Sequence, residues 1–170
     1  MQVQSRTDFD LAEYVPLIEE VISSEGEFRL FPRGTSMLPL LRQGRDSVIL
    51  VRCERALKKR DIIFYKRPNG QYVLHRIVKK PKGEDYVLCG DNQTLLEKGI
   101  TQDMVIARVS AVYRGDKRTE EKALGRLIYE AFWCCMPIRK LFMLVRRCLS
   151  KIKRIIVKKK TRAIGVPAIR

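Results

Sequence analysis

The apolar positions near the start of the chain recur every three or four residues, which is the spacing of one face of an α-helix. The pattern stops at residues 23–27, SSEGE, where small and acidic residues replace the apolar ones. We therefore predict one amphipathic helix at 8–25, within an N-terminal segment 1–26. Its apolar face comprises Phe9, Leu11, Tyr14, Val15, Leu17, Ile18, Val21 and Ile22.

From Glu27 onwards the pattern changes to short runs rich in β-branched and aromatic residues, separated by turns that contain Gly or Pro. The turn RPNG at 67–70 lies between two such runs and predicts a β-hairpin, whereas EKGI at 97–100 is interpreted as a connecting turn. The whole predicts a mainly β (α+β) fold with a compact antiparallel β domain at 27–115. The predicted strands are FRLF, SVILVRC, DIIFYKR, QYVLHRIVKK, DYVLCG and VIARVSAVYR.

Beyond Asp116 the helical period returns, and the side opposite the apolar stripe is strongly basic. Residues 114–170 contain 17 Lys/Arg against 4 Asp/Glu, whereas residues 1–113 contain 18 against 15. We predict a basic amphipathic helical segment and tail at 116–170, divided into two helices by Pro137. The candidates for binding a membrane surface or another anion are Arg139, Lys140, Arg146, Arg147, Lys151, Lys153 and Arg154.

The longest apolar run, residues 127–145, contains Glu130, Arg139 and Lys140. Charges at bilayer depth cost roughly 2.5–3.5 kcal/mol each, so a helix that spans the membrane is disfavoured. A helix lying on an anionic membrane surface through residues 118–160 fits better, and packing of the apolar stripe on the β domain is the alternative. Nucleic acid is not the expected partner, because the aromatic residues lie in the apolar run and not between basic residues.

The five cysteines are an odd number and form no CxxC pair, which indicates a reducing compartment. The N-terminus has no basic stretch followed by an apolar one, so no signal peptide is predicted. We expect a cytoplasmic protein with peripheral attachment at the inner membrane face. No metal or other cofactor is expected, because the single histidine has no Cys or His at ligand spacing. The pattern carries no signal for an oligomeric state.

Four polar residues in the predicted β domain could carry chemistry. Ser36 lies in the turn RGTSMLP, and His75 lies in the apolar run VLHRIV; Asp91 follows CG, with Glu97 six residues later. Covalent acyl transfer uses a nucleophile, a general base and an acidic group that orients the base. Histidine suits the role of base, because its ordinary pKa is near ~6.5. Each residue taken alone also fits a structural role, since serine is common in Gly/Pro turns.

The order of these segments is similar to that of a known family. GTSMLP resembles the nucleophile box of the type I signal peptidase clan, and GRDSVIL and RDIIFYK resemble the two strands that follow that box. VLHRIV resembles the His-Arg-Val segment of the endoplasmic-reticulum, archaeal and sporulation-type branch, in which histidine replaces a lysine base. VLCGDNQ resembles the Gly-Asp-Asn motif of that branch and VIARVSAVY its closing strand. The resemblance covers roughly residues 28–113.

The resemblance implies a serine endopeptidase in which Ser36 is the nucleophile and His75 the general base. Either Asp91 or Glu97 would orient the imidazole ring. Asp91 is slightly preferred, because it matches the Gly-Asp-Asn motif residue for residue. Such an enzyme needs no cofactor.

The resemblance also implies how the turn around Ser36 would work. The backbone N–H of Ser36 is the implied oxyanion donor, and Met37 and Pro39 would shape the turn and the substrate cleft. Gly34 stands where some members of the clan have a serine whose hydroxyl adds a second donor. That second donor is absent from this chain, so the oxyanion hole would rely on the backbone.

The chain departs from the family pattern at two places. The soluble-looking helix at 8–25 replaces the N-terminal membrane anchor, and Arg60 stands where the family commonly has Gly before Asp61. A dedicated precursor or leader peptide is therefore a more economical substrate than secretory proteins in general. Two other functions stay open: a non-catalytic module that binds a peptide or partner on the same fold, and a membrane- or nucleic-acid-binding protein that acts through the basic tail.

Overall fold

The computed structural model describes residues 11–80, 85–120, 129 and 137–145. Within them the fold is α+β, as predicted: a mainly antiparallel sheet with an N-terminal helix and a C-terminal helical stretch at 137–145. Helix α1 is Leu11–Glu25. The strands are β1 Glu27–Leu30, β2 Asp46–Val51, β3 Ile62–Lys66, β4 Tyr72–Lys79, β5 Tyr86–Cys89, β6 Glu97–Ile100, β7 Val105–Arg114 and β8 Lys117–Glu120, with a short 3₁₀ turn at Gln102–Met104 before β7.

The eight strands form one sheet in the order β1-β2-β7-β3-β4-β5-β6, with β8 also paired to β7. Strands β3 and β4 form the predicted hairpin, in which the Arg67 N–H donates to the Gln71 carbonyl at 2.8 Å. Gly70 supplies the positive φ (+84°) that this turn requires. The turn fixes the register of the hairpin, in which Ile63 pairs with His75.

The two larger apolar clusters lie on opposite faces of the sheet, because successive side chains of a strand point to opposite faces. The larger cluster contains Phe64 and Leu74 of the central hairpin and one face of α1. The loop after β1 adds Met37, Leu40 and Leu41 to it. That helix face is formed by Val15, Ile18 and Ile22, at the predicted helical spacing. The smaller cluster lies on the opposite face of the central hairpin and includes Ile63, Tyr65 and Ile77.

Two segments differ from the prediction. Glu97–Ile100, interpreted as a turn, is strand β6 and pairs with β5. Lys117–Glu120, assigned to the C-terminal helical segment, is strand β8 and pairs with β7, so the sheet continues past the predicted boundary at residue 115. Both strands are four residues long and rich in Lys, Glu or Gly, residues with low β-strand propensity, so the sequence pattern did not predict them. Pairing with a neighbouring strand overrides that propensity.

The C-terminal region is described only in part. The helical residues 137–145 agree with the prediction of a helix after Pro137. Of the predicted basic residues, Arg139 and Lys140 belong to this stretch, whereas Arg146, Arg147, Lys151, Lys153 and Arg154 lie outside the described residues. In the part of the chain that the structure describes, no helix is long and apolar enough to cross a bilayer.

Candidate active site

Ser36 lies in the loop between β1 and β2, in a turn that backbone hydrogen bonds stabilise. The Leu38 N–H donates to the Thr35 carbonyl at 3.2 Å, and the Leu41 N–H donates to the Met37 carbonyl at 3.0 Å. Met37 is buried in the larger apolar cluster and anchors the turn to the sheet. Ser36, directly before this anchor, is only half-buried and lines a cleft of about 740 Å³.

His75 lines the same cleft from the middle of β4. Gly90 lies between the His75 ring and the Ser36 turn. A side chain at this position would begin with a Cβ atom only 3.0 Å from His75 Nε2 and 2.7 Å from the Ser36 carbonyl oxygen. Only glycine permits this approach. Among the described residues, no hydrogen bond joins the Ser36 hydroxyl to the His75 ring. Such bonds are often long before a substrate binds.

The other ring nitrogen of His75 contacts a carboxylate. Nδ1 lies 2.9 Å from Oε1 of Glu97. Because an ionised carboxylate only accepts hydrogen bonds, the proton of the neutral ring belongs on Nδ1. Nε2, on the side of the Ser36 turn, is then the unprotonated nitrogen that can accept a proton.

Two further side chains hold Glu97 in place. The Tyr65 hydroxyl donates to Oε2 of Glu97 at 2.6 Å and lies 3.4 Å from His75 Nδ1. Arg67 donates from Nε to the same oxygen at 2.8 Å, and its terminal nitrogen bonds Oε1. Tyr65 is on β3, Arg67 begins the hairpin turn and Glu97 begins β6, so three segments of the chain meet at one carboxylate.

The environment sets the protonation states of this pair. Burial lowers the pKa of His75 below its ordinary value, and the opposing effect of the Glu97 charge compensates only in part. Burial would raise the pKa of Glu97, but hydrogen bonds from Arg67 and Tyr65, together with the charge of Arg67, outweigh it and hold that pKa low. At neutral pH the site therefore presents a neutral imidazole beside an ionised carboxylate, as a general base and its orienting group require.

Asp91, the preferred orienting group in the sequence analysis, belongs to a different network. Its two oxygens accept hydrogen bonds from Nε and Nη2 of Arg76 at 2.8 Å each, with both side chains fully buried. The Tyr129 hydroxyl donates to the same carboxylate at 3.0 Å. The preference for Asp91 is therefore corrected in favour of Glu97. The physical reason is strand alternation: His75 and Arg76 are consecutive in β4 and point to opposite faces of the sheet.

The remaining residues of the predicted turn have separate roles. Gly34 lines the cleft with φ at +88°, and its N–H donates to Oε1 of Gln43 at 2.7 Å. A serine at this position would find space, but it would be strained by the left-handed backbone. Met37 lines the cleft as predicted. Pro39 is half-buried in the same turn, and its part in shaping the cleft stays a prediction.

Three of the residues that build the site were missed by the sequence analysis. Tyr65 and Arg67 hold Glu97, as described above. Asn92 connects the loop after β5 to the nucleophile turn: its N–H donates to the Ser36 carbonyl at 2.7 Å, and its Nδ2 donates to the Thr35 carbonyl at 3.1 Å. The hairpin register could have revealed Tyr65, since a turn at 67–70 places residues 63 and 65 on the face of His75.

Arg139 does not have the exposed position that anion binding would require. Its side chain is fully buried and donates to the carbonyl of Gly90 at 3.0 Å and to that of Gln93 at 3.3 Å. The prediction that Arg139 faces a membrane or another anion is therefore wrong, because loop carbonyls and the nearby Asp91 take up its donors. Lys140, the next residue, is exposed.

Comparisons with protein-family models, with curated proteins and with solved structures return no match for this chain. Within the described ranges, no group of three or more His, Cys, Asp or Glu side chains could hold a metal ion. The functional interpretation therefore depends on the geometry around Ser36, His75 and Glu97.

Proposed function

We propose that this protein is a serine endopeptidase resembling the type I signal peptidase clan, with Ser36 as nucleophile, His75 as general base and Glu97 as the orienting carboxylate. One observation carries the proposal. The buried His75 ring is held at Nδ1 by Glu97, while Nε2 faces the Ser36 turn in a shared cleft. A base oriented by a carboxylate next to a serine on a tight turn is the arrangement of nucleophilic acyl transfer.

In the proposed reaction, Ser36 Oγ attacks the carbonyl carbon of the scissile peptide bond while His75 Nε2 takes the hydroxyl proton. The imidazolium that forms is stabilised by Glu97 and gives its proton to the leaving amine as the C–N bond breaks. The resulting ester on Ser36 is hydrolysed by a water molecule that His75 deprotonates. The Ser36 N–H is the proposed oxyanion donor; in such holes the loss of one donor costs about 10²–10³ in rate.

The substrate we propose is a precursor or leader peptide in an extended conformation. The cleft is open to solvent, and amide side chains line it near the catalytic residues, namely Gln43, Asn69, Gln71 and Gln93. Amides offer both donors and acceptors to a peptide backbone. The amide lining therefore supports recognition of the backbone of an extended peptide.

The C-terminal helical stretch supports a second, compatible role at an anionic membrane surface. Its large apolar side chains are exposed on a helix that is followed by a strongly basic sequence, a combination typical of interfacial helices. They are Ile138, Leu141, Phe142, Leu144 and Val145. We propose peripheral attachment of a cytoplasmic enzyme through this region.

A digest of a complex peptide library by the purified full-length chain tests the peptidase proposal and requires no choice of substrate. Mass spectrometry should detect new peptide termini with the wild-type chain and none with Ser36→Ala or His75→Ala. Circular dichroism should show that both variants keep the fold. Undiminished cleavage by either folded variant would overturn the proposal.

The alternative is a non-catalytic module that binds a peptide in the same cleft. A β-lactam-like or lipopeptide acylating compound separates the two functions, since only an activated serine forms an adduct. We expect an increase in intact mass that maps to Ser36. A folded wild-type chain that neither reacts nor cleaves any library peptide would favour the binding module.

A further inference from the structure

The buried guanidinium of Arg139 lies against the wall of the active site. It donates to two carbonyls of the loop after β5, those of Gly90 and Gln93, and one of its nitrogens is 3.9 Å from Asp91. Tyr129, from the same C-terminal region, donates its hydroxyl to Asp91. Residues beyond the sheet thus bond to residues 90–93 at several points.

The same loop contacts the proposed nucleophile and base on its other side. Gly90 fills the space between His75 Nε2 and the Ser36 carbonyl, where there is no room for a Cβ atom. Asn92 donates to the carbonyls of Thr35 and Ser36. A displacement of this loop therefore has to move the Ser36 turn, the surroundings of Nε2, or both.

Arg139 adds to other bonds that hold the loop: the Gln93 N–H donates to the Gly90 carbonyl at 3.0 Å, and Arg76 pairs with Asp91. The backbone of the loop lies between two short strands, β5 and β6, of four residues each. Both bonds from Arg139 leave the same terminal nitrogen, Nη1, and link two carbonyls that are three residues apart. The N–H groups of the guanidinium lie in one fixed plane, so these bonds hold the two carbonyls at a set separation while Nη2 lies 3.9 Å from Asp91. A lysine keeps the charge but has one rotating ammonium group, so it lacks the fixed plane and the second nitrogen near Asp91.

We propose that Arg139 is a positioning residue for the Ser36–His75 pair, and that the C-terminal helical stretch acts as an integral brace of the active site through it. The proposal rests on the proposed peptidase function. It assigns the C-terminal region a role in catalysis that is separate from any attachment to membranes. The chain of contacts runs from Arg139 through residues 90–93 to the nucleophile turn.

The test compares Arg139→Gln with Arg139→Lys, and uses Arg52→Gln, at an exposed arginine in the loop after β2, as the matched control. For a peptide identified by the library digest, we expect Arg139→Gln to lower kcat by roughly 10–100-fold, because displacements of about 1 Å have effects of that size. KM should change by less than about threefold, since the lining of the cleft is kept. Arg139→Lys should recover part of the loss, and Arg52→Gln should match wild type.

A second measurement works without a substrate. His75 is the only histidine, so its ring gives a single, assignable signal in a two-dimensional NMR spectrum of the full chain. Arg139→Gln should shift this signal and its titration, whereas Arg52→Gln should leave both unchanged. Tyr129→Phe removes only a hydroxyl group and should shift the signal in the same way, which keeps the test available if Arg139→Gln fails to fold.

The outcomes separate the two proposals. A wild-type chain that cleaves nothing, with an NMR signal that Arg139→Gln still shifts, would remove the peptidase function and leave the structural link. A folded Arg139→Gln variant with wild-type kcat and an unchanged His75 signal would overturn the positioning role. Wild-type behaviour of Tyr129→Phe together with full rescue by Arg139→Lys would also contradict it, because then neither the Tyr129 hydroxyl nor the fixed plane of the guanidinium is required.

Discussion

At His75, the two ring nitrogens meet different surroundings, and this difference is the basis of the proposed chemistry. Nδ1 faces Glu97, while Nε2 faces the Ser36 turn. Glu97 is itself held by Tyr65 and Arg67, so the carboxylate cannot turn away from the ring without breaking other bonds. Burial of the ring keeps it neutral and ready to accept a proton near neutral pH.

A pH profile tests the protonation states. Because burial lowers the pKa of His75, the acid limb of kcat/KM should have its midpoint below ~6.5, the ordinary value for histidine. Activity should rise with pH through that midpoint and be level at neutral pH. Glu97→Gln removes the charge that partly raises the pKa of His75, so the limb should move to lower pH while kcat falls by roughly 10²–10⁴. A limb that moves to higher pH in this variant would contradict the assignment of Glu97.

Arg60 has an unusual backbone conformation. Among the described residues it is the one non-glycine residue with positive φ, at +85°. Its side chain is exposed, so little packing depends on it. The left-handed conformation costs roughly 1–2 kcal/mol for a residue with a Cβ atom.

Replacement of Arg60 by glycine should therefore stabilise the protein. We expect Arg60→Gly to raise the free energy of unfolding by about 0.5–1 kcal/mol, because relief of the backbone strain exceeds the added entropy of the unfolded chain. Lys59→Gly is the matched control at the exposed neighbour and should be destabilising. Urea denaturation measures both, and a less stable Arg60→Gly variant would contradict this explanation.

At the level of the elements, periodicity predicted the parts of the fold that are long or strongly patterned. Helix α1 and six of the strands follow directly from apolar spacing and turn residues. Strands β6 and β8 were not predicted, since each is short and polar and exists through pairing with a neighbouring strand. The missed β6 matters most for the site, because it carries Glu97.

The same limitation explains the wrong preference for Asp91. The local sequence pattern identified Asp91 as a carboxylate of interest. Whether Asp91 pairs with His75 or with Arg76 depends on the face of β4 that it contacts. His75 and Arg76 occupy opposite faces, and Asp91 pairs with the arginine. The register of β5 and β6, which pairs Leu88 with Glu97, brings the other carboxylate to the histidine. Long-range pairings of this kind are not readable from one sequence.

The buried Asp91–Arg76 pair predicts a large effect on stability. Removing one partner of a fully buried, bidentate ion pair costs about 3–5 kcal/mol, because the remaining charge is left buried without compensation. Asp91→Asn should lower the free energy of unfolding by that amount, measured by urea denaturation. Asp116→Asn, in the exposed turn between β7 and β8, is the control and should be close to neutral. Equal stabilities of the two variants would show that Asp91 has no structural role.

For the whole molecule, charge and apolar exposure are concentrated at the C-terminus. Of the formal net charge of +16, most arises from the residues after 113, where 17 Lys/Arg stand against 4 Asp/Glu. Leu141 and Leu144 in the described helical stretch are 62% and 59% exposed. Basic and apolar residues in one region favour attraction to anionic lipid followed by shallow insertion.

Vesicle binding measures this property. We expect the full chain to sediment with vesicles that contain anionic lipid, less with neutral vesicles, and less at high salt, since the attraction is screened. Leu144→Ser should weaken partition several-fold, because transfer of a leucine side chain contributes about 1.5–3 kcal/mol when it is fully buried. Ser24→Ala, in the exposed part of α1, is the control. Equal binding to neutral and anionic vesicles would contradict the electrostatic part of the proposal.

The central claim is that Ser36 is a nucleophile activated by His75, and the rate of peptide cleavage by matched serine variants tests it most directly. With the best-cleaved library peptide, the account predicts that Ser36→Ala lowers kcat by at least ~10³-fold, with the fold intact by circular dichroism. Ser24→Ala should cleave at the wild-type rate. Cleavage by Ser36→Ala at the wild-type rate would contradict the account.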